Sequence, residues 1–219
     1  MPYYYFLSAS VPYGERALTY KPDPIAVRDA VRALVATVIR DSVLVFGGHP
    51  AITPLIWDAI SSIGRDGEAS GEKSRSAQNN GWDYRKPNRF HQNAIIYQSS
   101  FFEDAFPKEA RYFGNSMILI DKRETPEESL AVMRRKMIGE YAYSAGFFIG
   151  GMNGCDEEEW PLFQDMQPGI PTFPIASTEG AARLLWEKCK EKFPESVWKK
   201  LANELRYQTL FRELLGINR

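Results

Sequence analysis

An α/β fold built on a largely parallel sheet is predicted by three features of the 219-residue sequence. Short β-prone runs alternate with helical patterns along the chain. The helical stretches carry their apolar residues on one face. Strands pass into helices through turns rich in glycine or small hydroxyl residues.

Taken in order, YYYFLSAS (residues 3–10) is aromatic and β-prone and reads as the first strand. Residues 24–40 read as a helix, because Val27, Val31, Leu34, Val35 and Val38 share one face while Arg28, Asp29 and Arg32 point away. SVLVFGG (42–48) is a buried type of strand that ends in paired glycines. Residues 52–63 repeat the helical stripe through Ile52, Leu55, Ile56, Ala59, Ile60 and Ile63. Residues 64–93 are polar and glycine-rich, with almost no aliphatic side chain, which predicts a long loop. Strands resume at 94–100 and 116–121. The next helix opens on Thr125 as N-cap, with Pro126 at the first helical position and Glu127 and Glu128 in the first turn. GFFIGG (146–151) is a further strand, followed by a helix from near Asp156, and residues 171–193 form a last strand-loop-helix unit. The tail, 194–219, reads as helical and is expected to pack on the outside of the sheet. Without internal repeats or a long linker, one domain over residues 1–219 is expected.

Composition narrows the partners. A hydrophobic content of 44% supports a buried core rather than disorder. Lys and Arg (27) nearly balance Asp and Glu (28), so a nucleic-acid partner is not expected. Two cysteines make no disulfide framework, which suits a reducing cytoplasm. The N-terminus has no basic leader pattern, and no apolar run approaches the ~18 residues that span a bilayer. A cytoplasmic protein with no membrane association is therefore expected. No His or Cys cluster has metal-ligand spacing, so neither a metal nor a cofactor is expected.

Three turns share one design: VFGGHPAIT, FIGGMNGCDEE and PIASTEGAA. In an open α/β sheet they fall at the carboxyl ends of the strands, where ligand crevices form. Glycine admits close backbone approach, and the following helix start offers free N–H groups. Glycines can equally just close tight connections. Candidate ligand contacts are Gly47, Gly48 and His49 in the first turn and Gly150, Gly151, Asn153 and Gly154 in the second. Ser177, Thr178 and Glu179 stand in the third, and Ser8 and Ser10 at the end of the first strand. His49 either faces the crevice or serves the start of the next helix, and His91 reads as an ordinary surface residue. Neither a lysine-containing phosphate loop nor G-x-G-x-x-G is present, and no G-x-S-x-G elbow supports a serine nucleophile.

Asp156, Glu157, Glu158 and Glu159 fall in a first helical turn, where the macrodipole favours acids by ~0.3–1 kcal/mol each. One of them could accept hydrogen bonds from a ribose diol. Arg134 stands out more sharply. Helical spacing sets it among Leu130, Met137 and Ile138 on the apolar side, while Arg135 and Lys136 point outward. A charge there needs a partner, so Arg134 is either a buried strut to a carboxylate or a contact to an anionic ligand.

The string MRRKMIGEYAYSAGFFIGGMNGCDEEE resembles the signature of the Lonely Guy cytokinin-activating phosphoribohydrolases. That signature is an M-x-x-R-K stretch, an apolar strand and then P-G-G-x-G-T-x-x-E. Gly47 and Gly48 resemble its second-strand glycine turn. Together the three turns resemble a stand-alone domain of the broader SLOG superfamily, over roughly residues 3–186. That superfamily unites those enzymes with DprA-type proteins and nucleotide-sensing domains of bacterial conflict systems. The resemblance implies a Rossmann-like, doubly wound, mostly parallel sheet with helices on both faces and a nucleotide crevice. In this chain the glycine turn is one residue longer, with Cys155 in place of threonine and Ile149 in place of proline. Counted from Gly154, Glu158 takes the enzyme's glutamate position; counted back from Gly150, Arg134 takes that of the catalytic arginine. The lengthened turn favours a sensor of a nucleotide-derived small molecule, such as an ADP-ribose-type compound in antiphage defence. Its pyrophosphate would lie over Gly47–Gly48 and Gly150–Gly154, and its partner would be a second copy or an effector protein. The alternative is an N-glycosidic hydrolase of a nucleotide or nucleotide sugar, with Glu158 and Arg134 as catalytic residues. A subunit that uses the fold only for assembly is a third option.

Overall fold

The computed structural model describes residues 2–69 and 87–217. Six strands, β1 (Tyr3–Ser10), β2 (Ser42–Gly47), β3 (Ala94–Ser99), β4 (Met117–Ile120), β5 (Tyr143–Gly150) and β6 (Thr172–Ile175), form one sheet. Their order is β4-β3-β2-β1-β5-β6, and every pairing is parallel. Because β1 pairs with both β2 and β5, the strand order reverses between β1 and β5, and connections leave the sheet toward opposite faces there.

Both faces are covered, so the central strands are apolar on both sides. Helix α1 (Glu15–Tyr20) follows β1 and contributes no buried residue. One face packs against α2 (Pro24–Val38), α3 (Thr53–Ala69) and α8 (Tyr207–Leu214), through Val27, Val31, Ile56, Ile60 and Phe211 over Leu7, Leu44, Phe46 and Phe147. The other packs against α4 (Pro126–Gly139), α5 (Trp160–Met166) and α6 (Ala181–Cys189), through Met133, Met137, Ile138, Phe163 and Leu185 over Phe6, Val45 and Phe148. The expected stripe of α2 is buried throughout. Thr125 caps α4 by accepting from the Glu128 amide. The tail forms α7 (Glu195–Asn203) and α8, and Phe211 of α8 packs edge-on to Phe147 of β5. This is the Rossmann-like, doubly wound arrangement expected of the sequence.

Two expectations are corrected. The predicted loop does not begin at Gly64: α3 runs on through Ala69, and residues 70–86 of that stretch lie outside the described residues. Extending an existing helix costs far less than nucleating one, so a polar sequence can continue it. Gly64 leaves room for Asn88, whose amide donates to the Ile60 carbonyl at 2.9 Å. His91 is not a surface residue either. It is 2% exposed, its ring lies 3.8 Å from that of Trp57, and its Nδ1 accepts from the backbone N–H of Asn88 at 2.8 Å. Burial lowers its pKa to about 4, so the ring is neutral and packs as an aromatic.

Candidate functional site

The carboxyl ends of β1, β2 and β3, with the inner face of α4, enclose a cavity of about 320 Å³. Ser8 and Ser10 come from β1, Gly47, Gly48 and His49 from the end of β2, and Gln98 and Ser99 from β3. Leu130, Met133 and Arg134 of α4 form one wall, Gly154, Cys155 and Glu159 another, and Phe102 and Phe106 stand over it. A wider hollow of about 860 Å³ lies at the opposite, amino-terminal end of the sheet, around Tyr3, Ser42 and Ser144. It is remote from all three turns, so the chemistry is sought in the smaller cavity.

Arg134 sits where helical spacing places it, only 8% exposed. Its Nη1 donates to Glu158, and its Nε donates to Glu159 Oε1 at 3.3 Å. A Cβ on Gly154 would stand 2.8 Å from Nη2, so that glycine makes room for the guanidinium. The carboxylate facing the cavity is Glu159, while Glu158 is exposed and meets Arg134 from outside. The cause is local backbone geometry. Gly154–Glu159 forms a π-helical turn, and that wider winding brings the fifth residue after Gly154, not the fourth, onto the inner face. Counting by an α-helical motif therefore selects the neighbouring residue. Burial raises the pKa of Glu159, partly offset by Arg134 and by the nearby Ser8 hydroxyl. Burial also pushes the Cys155 thiol up to about 11, which leaves it protonated and a poor nucleophile.

Several of the glycines meet a packing requirement. A Cβ on Gly48 would stand 2.0 Å from Gln98 Nε2, so Gly48 is the seat of the Gln98 side chain. Gly150 and Gly151 take φ of 59° and 92°, which brings their turn against β1 and the start of α6. Gly151 donates to Ser10 O at 2.9 Å and its carbonyl accepts from Ala181 at 3.1 Å. Gly150 donates to Thr178 Oγ1 at 2.8 Å. Gly150, Gly151 and the exposed Asn153 are outside the cavity lining.

The third turn is separated from the cavity. Thr178 is wholly buried and its hydroxyl donates to Ile175 O at 2.6 Å. Ser177 donates to Glu204 O at 3.1 Å, tying the turn to the α7–α8 junction. Glu179 is exposed with φ of 56°, a strained position for a residue with a side chain. His49 does both of the things open to it: it lines the cavity, and its backbone N–H and carbonyl pair with Thr53 at the start of α3. Its Nδ1 accepts from the Ala51 amide, which leaves Nε2 as the protonated nitrogen, and burial lowers its pKa to about 4.

Gln98 was not singled out by the sequence pattern. It is 4% exposed and its Nε2 has no hydrogen-bond partner among the described residues. Ser8 Oγ likewise has no hydrogen-bond partner among the described residues. The available signal was a lone amide inside the apolar run AIIYQSS, at the carboxyl end of a strand. Such a residue cannot be there for burial alone. Among the described residues, no group of three or more His, Cys, Asp or Glu could hold a metal ion, and no helix is long and apolar enough to cross a membrane.

A family model described as the SLOG cluster3 family matches residues 18–72 and 82–215, most of the chain. No curated protein and no solved structure matches it.

Proposed function

We propose that this chain, which belongs to the SLOG cluster3 family, binds a nucleotide-derived small molecule in the cavity at the carboxyl ends of β1, β2 and β3. The carrying observation is Gln98: a buried amide donor without a partner beside this cavity is satisfied when a ligand supplies an acceptor. Family membership supports a nucleotide-related ligand, and the cavity adjoins the strand-order reversal where such sheets take ligands.

Sensing is favoured over turnover because Arg134 is already held between two glutamates and Cys155 is a protonated thiol. An ADP-ribose-type compound is the first ligand to try, with antiphage signalling as the setting and a second copy or an effector protein as receiver. Two free, buried cysteines fit a reducing cytoplasm. The test is thermal shift with adenosine, ADP-ribose and cyclic ADP-ribose, followed by mass spectrometry of the recovered compound. A rise in Tm with intact ligand is expected; a panel that neither binds nor stabilises refutes the proposal.

A second reading, N-glycosidic hydrolysis, is favoured by the partly buried Glu159 carboxyl that Arg134 holds at the cavity wall. Here Glu159 takes the role that motif counting gives to Glu158. Base release that survives Glu159→Gln removes this reading.

A further inference from the structure

Charge decides which end of a nucleotide the cavity takes, and this step rests on the nucleotide reading above. The charged side chains on its wall, among the described residues, are Arg134 and Glu159, beside a neutral His49. Arg134 donates to both Glu158 and Glu159, so its positive charge is matched within the protein. A phosphate placed inside would meet the Glu159 carboxylate without a free cation, and like charges brought face to face are disfavoured.

Backbone donors do not compensate at Gly48, His49, Gly150 and Gly151. The N–H groups of Gly48, His49, Gly150 and Gly151 are donated to Tyr97 O, Thr53 Oγ1, Thr178 Oγ1 and Ser10 O. What the cavity offers instead is two unpartnered donors, Gln98 Nε2 and the Ser8 hydroxyl, one carboxylate acceptor, Glu159, and the aromatic side chains of Tyr13, Phe102 and Phe106. A planar, uncharged heterocycle matches that set. Its ring nitrogen or carbonyl would accept from Gln98, its N–H would reach Glu159, and its faces would meet the aromatic rings. At about 320 Å³ the space holds a base with part of its sugar.

We infer that the nucleobase of the ligand enters this cavity and is read by Gln98, while the phosphates stay at the mouth beside Tyr13, which is 80% exposed.

Isothermal titration of the full chain tests this with the four common nucleosides, their 5′-monophosphates, ADP-ribose, ribose 5-phosphate and inorganic phosphate. At least one nucleoside should bind within about threefold of its monophosphate, with ribose 5-phosphate and phosphate weaker by about a hundredfold or more. Gln98→Leu should weaken nucleoside and nucleotide alike by about tenfold. Tyr13→Ala changes an exposed side chain, so folding is not at issue, and should weaken both by a similar factor. Ribose 5-phosphate that binds as tightly as the nucleotide, while nucleosides give no heat, overturns the inference. So does a nucleoside affinity that Tyr13→Ala and a folded Gln98→Leu leave unchanged. A panel in which nothing binds, ADP-ribose included, instead brings down the nucleotide reading itself.

Discussion

Gly48→Ala puts a methyl group where Gln98 now sits. The new Cβ would stand 2.0 Å from Nε2 and 2.1 Å from Cδ, far inside ordinary contact. Gly48 does not have a positive φ, so the backbone itself accepts alanine and the penalty is the displacement of Gln98. Overpacking of this kind costs about 1–3 kcal/mol. Taking ~2 kcal/mol, Tm should fall by roughly 4–8 °C for a chain of this length. Gln98→Ala removes the clashing amide, so the double variant should be more stable than the sum of the singles by about 1–2 kcal/mol. Urea denaturation of the four proteins, followed by tryptophan fluorescence, measures the cycle. Additivity within ~0.5 kcal/mol would refute the idea that Gly48 seats Gln98. Binding supplies an independent check: Gly48→Ala that abolishes ligand binding while Gln98→Leu preserves it would mean that the ligand approaches the Gly48 backbone directly.

Two further outcomes test the polar wall and the buried histidine. Arg134→Met leaves the partly buried Glu159 without its cation and should cost about 3–5 kcal/mol, whereas Arg134→Met with Glu159→Gln should recover much of that loss in the same denaturation assay. His91 has its pKa lowered from 6.5 to about 4, so between these values the unfolded chain binds more protons and stability falls as pH falls. Fully expressed, the effect is on the order of 3 kcal/mol. His91→Gln should flatten the stability-against-pH profile between pH 6.5 and 4 relative to the parent. The oppositely signed contribution of Glu159, whose raised pKa favours low pH, is common to both proteins. Identical profiles would show that His91 is not buried neutral.

Several features of the site could be read from residue order because their causes are local. Arg134 falls on the core-facing side of α4 by helical spacing alone, and it is buried there. Thr125 and Pro126 start that helix through side-chain and ring geometry within four residues. The paired glycines after β2 and β5 mark the carboxyl ends of strands, but their purpose was not local. Gly48 is small for Gln98, 50 residues further along, and Gly150 is fixed by a hydroxyl 28 residues away. His91 shows the same limit: a polar neighbourhood in sequence gave no sign that Trp57 would cover its ring.

The sequence by itself determined the alternation of strands and helices, the parallel α/β sheet, the burial of Arg134 and the end of the sheet where the three turns and the cavity lie. These follow from periodicity, capping and turn chemistry, which act over a few residues. Only the tertiary structure decided that Glu159 rather than Glu158 faces the cavity, because one π-helical turn rotates the acids by a residue. Only it showed Gln98 as an unpartnered donor and Thr178 as a structural hydroxyl. Hydrogen bonds and charge balance between distant segments depend on where the chain brings atoms together, and no local pattern carries that information.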